Sequence, residues 1–180
     1  MKRSLKALCV TWLISILFVV PVFAGYDSDW DKIAQKELSG KQSILLPATV
    51  KYSEEILSLA RGRYIASSGL TVVNEGYGVL GVYADTLAYE PVKKIKMTIY
   101  LDQWDEQLET WMQVDNKELI YEYEDGGEDL HAVSEYFLVE NLETGKYYRL
   151  RGMHAVWAFN GLVETHATMT DGVLLTDGPA

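Results

Sequence analysis

The stretch KKIKMTIYLDQW (residues 93–104) alternates between apolar and polar side chains over the length of a full β-strand. One side of an extended chain would carry Ile95, Met97, Ile99 and Leu101, and the other Lys94, Lys96, Thr98, Tyr100 and Asp102. Because successive side chains of a strand point to opposite faces, this period of two predicts a strand with one buried face.

The same period recurs along residues 61–176, and turn residues separate the candidate strands. About eight short strands, with no long helical period and no internal repeat, predict an all-β protein that folds as an antiparallel β-sandwich. The remaining candidate strands are RGRYIA, LTVVN, GVLGVYADTLA, LETWMQVDNKELIYEYE, LHAVSEYFLVE, KYYRLRGMHAVWAF and LVETHATMTDGVLL.

The segment LETGKYYRLRG (residues 142–152) resembles the entry to the sixth strand of fibronectin type III and related immunoglobulin-like domains, where a tyrosine hydroxyl bonds back across the turn. The resemblance is carried by Leu142, Gly145, Tyr148 and Leu150. Thr144 stands where that family usually has proline, and Gly152 where a branched residue is common. The resemblance implies an immunoglobulin-like topology and says nothing about function.

Several segments together resemble a family of small exported bacterial proteins that is known only as a domain of unknown function. They are the N-terminal apolar leader, RGRYI, KIKMTIYLDQW, Trp111 and GKYYRLRGMHAV. The resemblance covers about residues 61–160 and implies a secreted β protein of the Gram-positive type. Because its motifs are strand patterns, it implies no catalytic residues.

The N-terminus has the pattern of an export signal. Three basic residues precede an apolar run over residues 7–22, and Val22-Phe23-Ala24 at its end places small residues, Val22 and Ala24, at the positions that a signal peptidase reads. A retained membrane anchor is the alternative, but the run is shorter than the roughly 20 apolar residues of a spanning helix and contains Pro21. We therefore expect a signal peptide over residues 1–24, cleaved after Ala24, and a secreted protein.

Composition limits the classes of function for the mature chain. Removing residues 1–24 takes away Cys9, the only cysteine, so disulfides, cysteine nucleophiles and cysteine-ligated zinc are not expected. It also takes away three of the 16 basic residues and none of the 26 acidic ones, which leaves a net charge of −13. Such a surface repels nucleic acids and anionic membranes.

Residues 25–60 lack the period of two that marks the rest of the mature chain, and they form a predicted helical or irregular lead-in. YDSDWDKIAQKELSG (residues 26–40) has helical spacing and ends at Gly40, and a second helical turn is expected to begin at Ser53. Whether the lead-in packs on the domain stays open. The predicted organisation is completed by a sandwich domain over 61–176 and a tail over 177–180.

Asn160-Gly161 between the last two strands predicts a hairpin with a two-residue turn. The expected pairs are 159 with 162, 157 with 164, 155 with 166 and 154 with 167. In this register His154 belongs to the core, whereas His166 shares the opposite face with Trp157 and Glu164. The two histidines would point apart, which excludes a joint metal site or acid–base pair.

The outward face of this hairpin is the candidate binding surface. It carries Arg151, Trp157, Glu164 and His166, and the outward parity of the neighbouring strand adds Tyr100 and Trp104. One interpretation is structural: the indole and arginine stems cover a sheet edge or receive the N-terminal segment. The other is functional: an indole stacks on a sugar or peptide and the charged groups orient it.

The sequence offers only weak candidates for a metal site or a sorting signal. Alternate aspartates at 27, 29 and 31 suggest a calcium loop, but Lys32 and Leu38 stand where that loop needs glycine and glutamate. The acidic run at 122–129 could hold calcium, although such runs are usually solvated. LPATV (residues 46–50) matches a sorting signal only in part and lies at the wrong end of the chain.

We therefore expect a secreted, non-enzymatic module without cofactor or metal that binds a glycan, a peptide or another surface partner. A structural or regulatory protein that binds its partner through a strand edge or through the lead-in is the first alternative. A hydrolase that uses carboxylates with His131 or His166 is the second.

Overall fold

The computed structural model describes residues 32–33, 36–58 and 62–179. The predicted signal peptide lies outside these residues, as do Asp27, Asp29 and Asp31. The described residues contain nine strands: β1 (Tyr52–Ser58), β2 (Ile65–Gly76), β3 (Val79–Ala88), β4 (Lys94–Asp105), β5 (Thr110–Glu122), β6 (Ala132–Val139), β7 (Tyr147–Trp157), β8 (Val163–Met169) and β9 (Val173–Leu174).

The strands form two antiparallel sheets that pack face to face. One sheet has the order β1-β2-β3-β6 and the other β5-β4-β7-β8, with β9 paired to β7. The predicted all-β, immunoglobulin-like sandwich is therefore confirmed. The strand β1 is added at the edge of the first sheet, so that β7 takes the place of the sixth strand of a fibronectin type III domain.

The tyrosine corner implied by the resemblance is present at the start of β7. The Tyr148 side chain is buried, and its hydroxyl donates a hydrogen bond to the backbone carbonyl of Glu143, 3.0 Å away. Gly145 adopts a φ of 76° between these two residues, a conformation that favours glycine. The turn that enters β7 is thereby fixed against the strand itself.

The core fills the space between the two sheets and consists mainly of inward residues of β2, β3, β4, β6, β7 and β9, with Leu175 directly after β9. They include Ile65, Leu70, Val72, Leu80, Val82, Ile95, Met97, Leu150, Val156, Val173 and Leu175. Gly152 lies on the inward side of β7, where a Cβ atom would stand 2.6 Å from the Thr168 hydroxyl. The absence of a branched residue at this position is therefore explained by packing.

The expected helical turn from Ser53 is wrong, because residues 52–58 form β1. This strand closes the open side of the sandwich by reaching the edge of β8 in the other sheet. Ser53 Oγ accepts a hydrogen bond from the Asp171 amide at 2.8 Å, and the Glu55 carboxylate accepts one from the Met169 amide at 2.6 Å. The sandwich thus begins at residue 52 rather than at 61.

The lead-in packs on the outer face of the β5-β4-β7-β8 sheet. Four of its described residues are helical, Lys32, Ile33, Lys36 and Glu37, and the following turn contains Gly40 with a φ of 89°. Leu38 is buried, and Glu37 accepts a hydrogen bond from the Thr165 hydroxyl at 2.8 Å. Further along, the Leu46 amide donates to the carbonyl of Gly172.

The predicted register of the β7–β8 hairpin is wrong by one residue. His154 pairs with His166 and Val156 with Glu164. The reason is the turn: the Gly161 amide donates to the Ala158 carbonyl and only Gly161 has positive φ, with a value of 82°. This is a three-residue loop with a bulge rather than a two-residue type I′ turn, so every side chain of β8 changes face.

The tail also has a place in the fold, because Pro179 forms an antiparallel bridge with Gly76. In the part of the chain that the structure describes, no helix has the length and apolar character needed to cross a membrane.

Replacing Tyr148 with phenylalanine should lower the free energy of unfolding by about 1 to 1.5 kcal/mol, since the Glu143 carbonyl loses its hydrogen bond. Urea denaturation of the variant and the wild type measures this change. Tyr147→Phe is the matched control and should change stability by less than about 0.5 kcal/mol. Equal stability of Tyr148→Phe and the wild type would contradict the tyrosine corner.

Candidate binding surfaces

The six predicted site residues do not share one surface. Tyr100, Trp104, Arg151 and Trp157 lie on the outer face of the β5-β4-β7-β8 sheet, as expected. Glu164 and His166 lie on the inner face, because they are paired with the inward residues Val156 and His154. The predicted combination of an indole with a neighbouring histidine and glutamate is therefore wrong.

Glu164 ties β8 to the beginning of β2. Its carboxylate accepts hydrogen bonds from the backbone amides of Arg63, Tyr64 and Ile65. Burial acts to raise the pKa of Glu164, but these three donors outweigh it and hold the pKa below its usual value. A carboxylate engaged in this way has a structural role at the end of the sandwich.

His154 is a core histidine, as predicted, with both ring nitrogens satisfied. Nδ1 lies 2.8 Å from the Thr86 hydroxyl of β3, and Nε2 lies 2.9 Å from the Thr168 hydroxyl of β8. The side chain is fully buried. Burial, with a smaller contribution from His166, lowers its pKa to about 3, so the ring is neutral and connects the two sheets.

His166 pairs directly with His154, so the prediction that the two rings point apart is wrong. His166 is only half-buried, and burial lowers its pKa although Glu164 and Glu37 act in the opposite direction. Its Nδ1 atom has no hydrogen-bond partner among the residues that the structure describes. The inner-face position that His154 and His166 share is still a poor acid–base site, because His154 is inaccessible to solvent and is hydrogen-bonded to two threonines.

The outer face of the β5-β4-β7-β8 sheet is largely covered next to the lead-in. Met153, Ala155 and Ala167 are buried although they point outward, as is Tyr100. Arg151 lies over the Tyr100 ring at 5.0 Å from its centroid, and Lys94 lies over Trp157 at 5.3 Å. These aromatic rings are thus engaged by cations of the same sheet.

Beyond the covered part, a cleft of about 440 Å³ lies between the lead-in and β5. At its base the buried carboxylate of Asp102 accepts two hydrogen bonds from Arg151, at 2.7 and 2.8 Å, and one from Arg149 at 3.0 Å. Trp111 forms one wall, with the Arg149 guanidinium 4.6 Å from its ring centroid. We call this the arginine cleft.

Trp104 and Trp111 form an edge-to-face pair beside the arginine cleft, with centroids 5.3 Å apart. The sequence alone does not decide the side of Trp111, because its apolar neighbours Met112 and Val114 have the opposite parity. The structure places Trp111 outward, and it exposes Met112 and Val114 on edge strand β5. A register shift opposite Leu101 and Asp102 changes the alternation there.

A second candidate surface, which was not predicted from the sequence, lies on the other sheet. The outer face of β1-β2-β3-β6 exposes Tyr52, Tyr83 and Tyr136, with 60%, 47% and 46% of their surface accessible. Tyr83 and Tyr136 are directly opposed, and their ring centroids are 4.4 Å apart. We call this the tyrosine face.

Two glycines of the tyrosine face leave room beside the aromatic rings for carboxylate side chains. A Cβ atom at Gly69 would stand 2.3 Å from the Asp85 carboxylate, and one at Gly81 would stand 2.7 Å from that of Glu75. Burial and the nearby Glu54 raise the pKa of Asp85, although a hydrogen bond from the Gly69 backbone opposes this. The carboxylates of Asp85 and Glu75 therefore lie over these two glycines, beside the tyrosines.

The metal hypotheses find no support in the described residues. Within residues 32–33, 36–58 and 62–179, no three side chains of His, Cys, Asp or Glu are grouped closely enough to hold an ion. In the acidic run, Glu122 forms an ion pair with Lys94 at 2.8 Å. The aspartates at 27, 29 and 31 lie outside the described residues.

No family model matches this chain, and no curated protein matches it. The resemblance to small exported bacterial proteins thus stays a prediction, and function is argued from the surfaces themselves.

The buried His154 should make the protein less stable in mild acid. Its pKa is about 6.5 in the unfolded chain and about 3 in the folded one, so below pH 6.5 the unfolded state takes up a proton that the folded state refuses. Stability is therefore lost as the pH falls, by roughly 2 kcal/mol between pH 7 and pH 5.

Urea denaturation at the two pH values measures this loss. His154→Gln keeps a hydrogen-bonding side chain without the titration, and the larger part of the pH dependence should disappear. His166→Gln is the control and should retain most of it. If His154→Gln loses as much stability on acidification as the wild type, the assignment of this titration to His154 is wrong.

Proposed function

We propose that this protein is an exported, non-enzymatic binding module that attaches to a neutral polysaccharide through its tyrosine face. The observation that carries the proposal is the set of three half-exposed tyrosines on one sheet face. A monomeric protein rarely leaves so many large rings together in water unless the patch binds something.

The spacing of the tyrosines suits a chain of sugar rings. Tyr83 and Tyr136 form one pair of rings in contact, tilted by 32°, and Tyr52 lies two strands and two residues away. Strand spacing and rise place Tyr52 on the order of 12 Å from Tyr83. A linear polysaccharide could therefore stack on both positions with every second ring.

The polar groups of the tyrosine face favour a neutral ligand rich in hydroxyls. The outward side chains of β1, β2, β3 and β6 include three carboxylates, Glu54, Glu75 and Asp85, and neither lysine nor arginine. Carboxylates accept hydrogen bonds from sugar hydroxyls and repel acidic polysaccharides. The strongly acidic composition agrees with this choice.

A protein partner is the second candidate, since aliphatic side chains flank the tyrosines. Ile56, Leu87 and Leu138 are exposed by 56%, 42% and 48% on the same face. Aliphatic groups add little to sugar stacking but contribute strongly to an interface between proteins.

Sedimentation with insoluble cellulose, chitin and xylan tests the proposal. The wild type should bind at least one of these, and Tyr83→Ala combined with Tyr136→Ala should weaken binding about tenfold or more, because a stacked ring contributes on the order of 1 kcal/mol. An acidic polysaccharide such as polygalacturonate should not bind.

Two variants serve as matched controls. Tyr77→Asn removes an exposed tyrosine of the β2–β3 turn and suits the positive φ there, and Trp157→Ala alters the opposite sheet. Both should bind like the wild type. Unchanged binding by the double tyrosine variant, or loss in Trp157→Ala alone, would reject the tyrosine face as the glycan site. Absence of binding to every polysaccharide would favour the protein partner.

A further inference from the structure

The described residues that line the arginine cleft include more cations than carboxylates. Arg149 and Arg151 share the single carboxylate of Asp102, whose side chain is only 2% accessible. At the rim Lys41 is neutralised by Glu55 at 2.7 Å. Among the described residues that line the cleft, the three cations Lys41, Arg149 and Arg151 outnumber the one carboxylate, that of Asp102, in a chain whose net charge is −10.

Arg149 is the cation with spare hydrogen-bonding capacity. In the described part of the chain only its Nε atom is hydrogen-bonded, to Asp102, which leaves both terminal nitrogens available. Its side chain is 13% accessible. Burial lowers the pKa of Arg149, with Arg151 acting in the same direction and Asp102 against both. An additional anion in the cleft would compensate the cost of burying this charge.

The cleft also offers an apolar wall. Leu38 of the lead-in and Met169 of β8 line it together with Trp111. At about 440 Å³ it has room for a small organic molecule, which such pockets bind through apolar contacts and a few oriented polar groups. The guanidinium fork of arginine matches the planar geometry of a carboxylate.

We propose that the arginine cleft binds a carboxylate with an apolar body, held by the terminal nitrogens of Arg149 and packed against Leu38 and Met169. The chemistry is shared by the C-terminus of a peptide that ends in an apolar residue and by a free organic acid. This site is separate from the tyrosine face, since the two lie on different sheets.

Titration of the purified protein with N-acetyl-leucine, hexanoate and N-acetyl-leucinamide, followed by NMR, tests the proposal. N-acetyl-leucine mimics a peptide C-terminus, hexanoate is a free acid, and the amide lacks the charge. At least one acid should shift the Arg149 Hε and Trp111 indole resonances and bind at least tenfold more tightly than the amide. The stronger of the two acids identifies the source. Affinity should fall with added salt.

Arg149→Gln should weaken acid binding at least tenfold, whereas Lys96→Gln, a charge-matched change elsewhere on the same sheet, should leave it unchanged. The wild-type resonance shifts give an answer even if Arg149→Gln fails to fold. Equal binding of acid and amide, binding of inorganic phosphate as tightly as of the acids, unchanged binding by Arg149→Gln, or no binding at all would each overturn the proposal.

Discussion

The hydrogen bond between His154 of β7 and Thr86 of β3 connects the two sheets through the middle of the core, and a second bond to Thr168 of β8 holds the ring from its own sheet. They require the inward side of β7 to be the side of Tyr148 and His154, and the corner at Tyr148 fixes the same side at the start of the strand. The choice of inward side on β7 then determines the face of every residue on β4 and β8, since both strands pair with it.

The two outer sheet faces that result differ in how far other residues cover them. On the β5-β4-β7-β8 sheet, outward residues such as Met153 and Ala167 are buried next to the lead-in, and charged groups engage the aromatic rings that remain. On the β1-β2-β3-β6 sheet no described segment covers the tyrosines to that extent, and Tyr52 keeps 60% of its surface accessible. An aromatic residue can therefore be outward by parity without being available to a ligand.

The sequence predicted the sandwich and the tyrosine corner because both depend on local signals, a period of two and a short motif around Tyr148. It failed where tertiary contacts decide. Residues 52–58 form a strand because β2 offers an edge, and the β7–β8 register depends on whether Asn160 or only Gly161 takes positive φ. The face of Glu164 followed from that single residue, and placing Tyr52 on the tyrosine face required β1 to be recognised as a strand.

Hydroxyl-radical footprinting of the intact protein, read by mass spectrometry, most directly tests the claim that one outer face is covered and the other open. Tyr52, Tyr83 and Tyr136 should be oxidised rapidly, whereas Tyr100 and Met153 should be protected, as their burial requires. Methionine is intrinsically easy to oxidise, so its protection is the sharper result. Rapid oxidation of Met153 and Tyr100, together with protection of Tyr83 and Tyr136, would contradict the account.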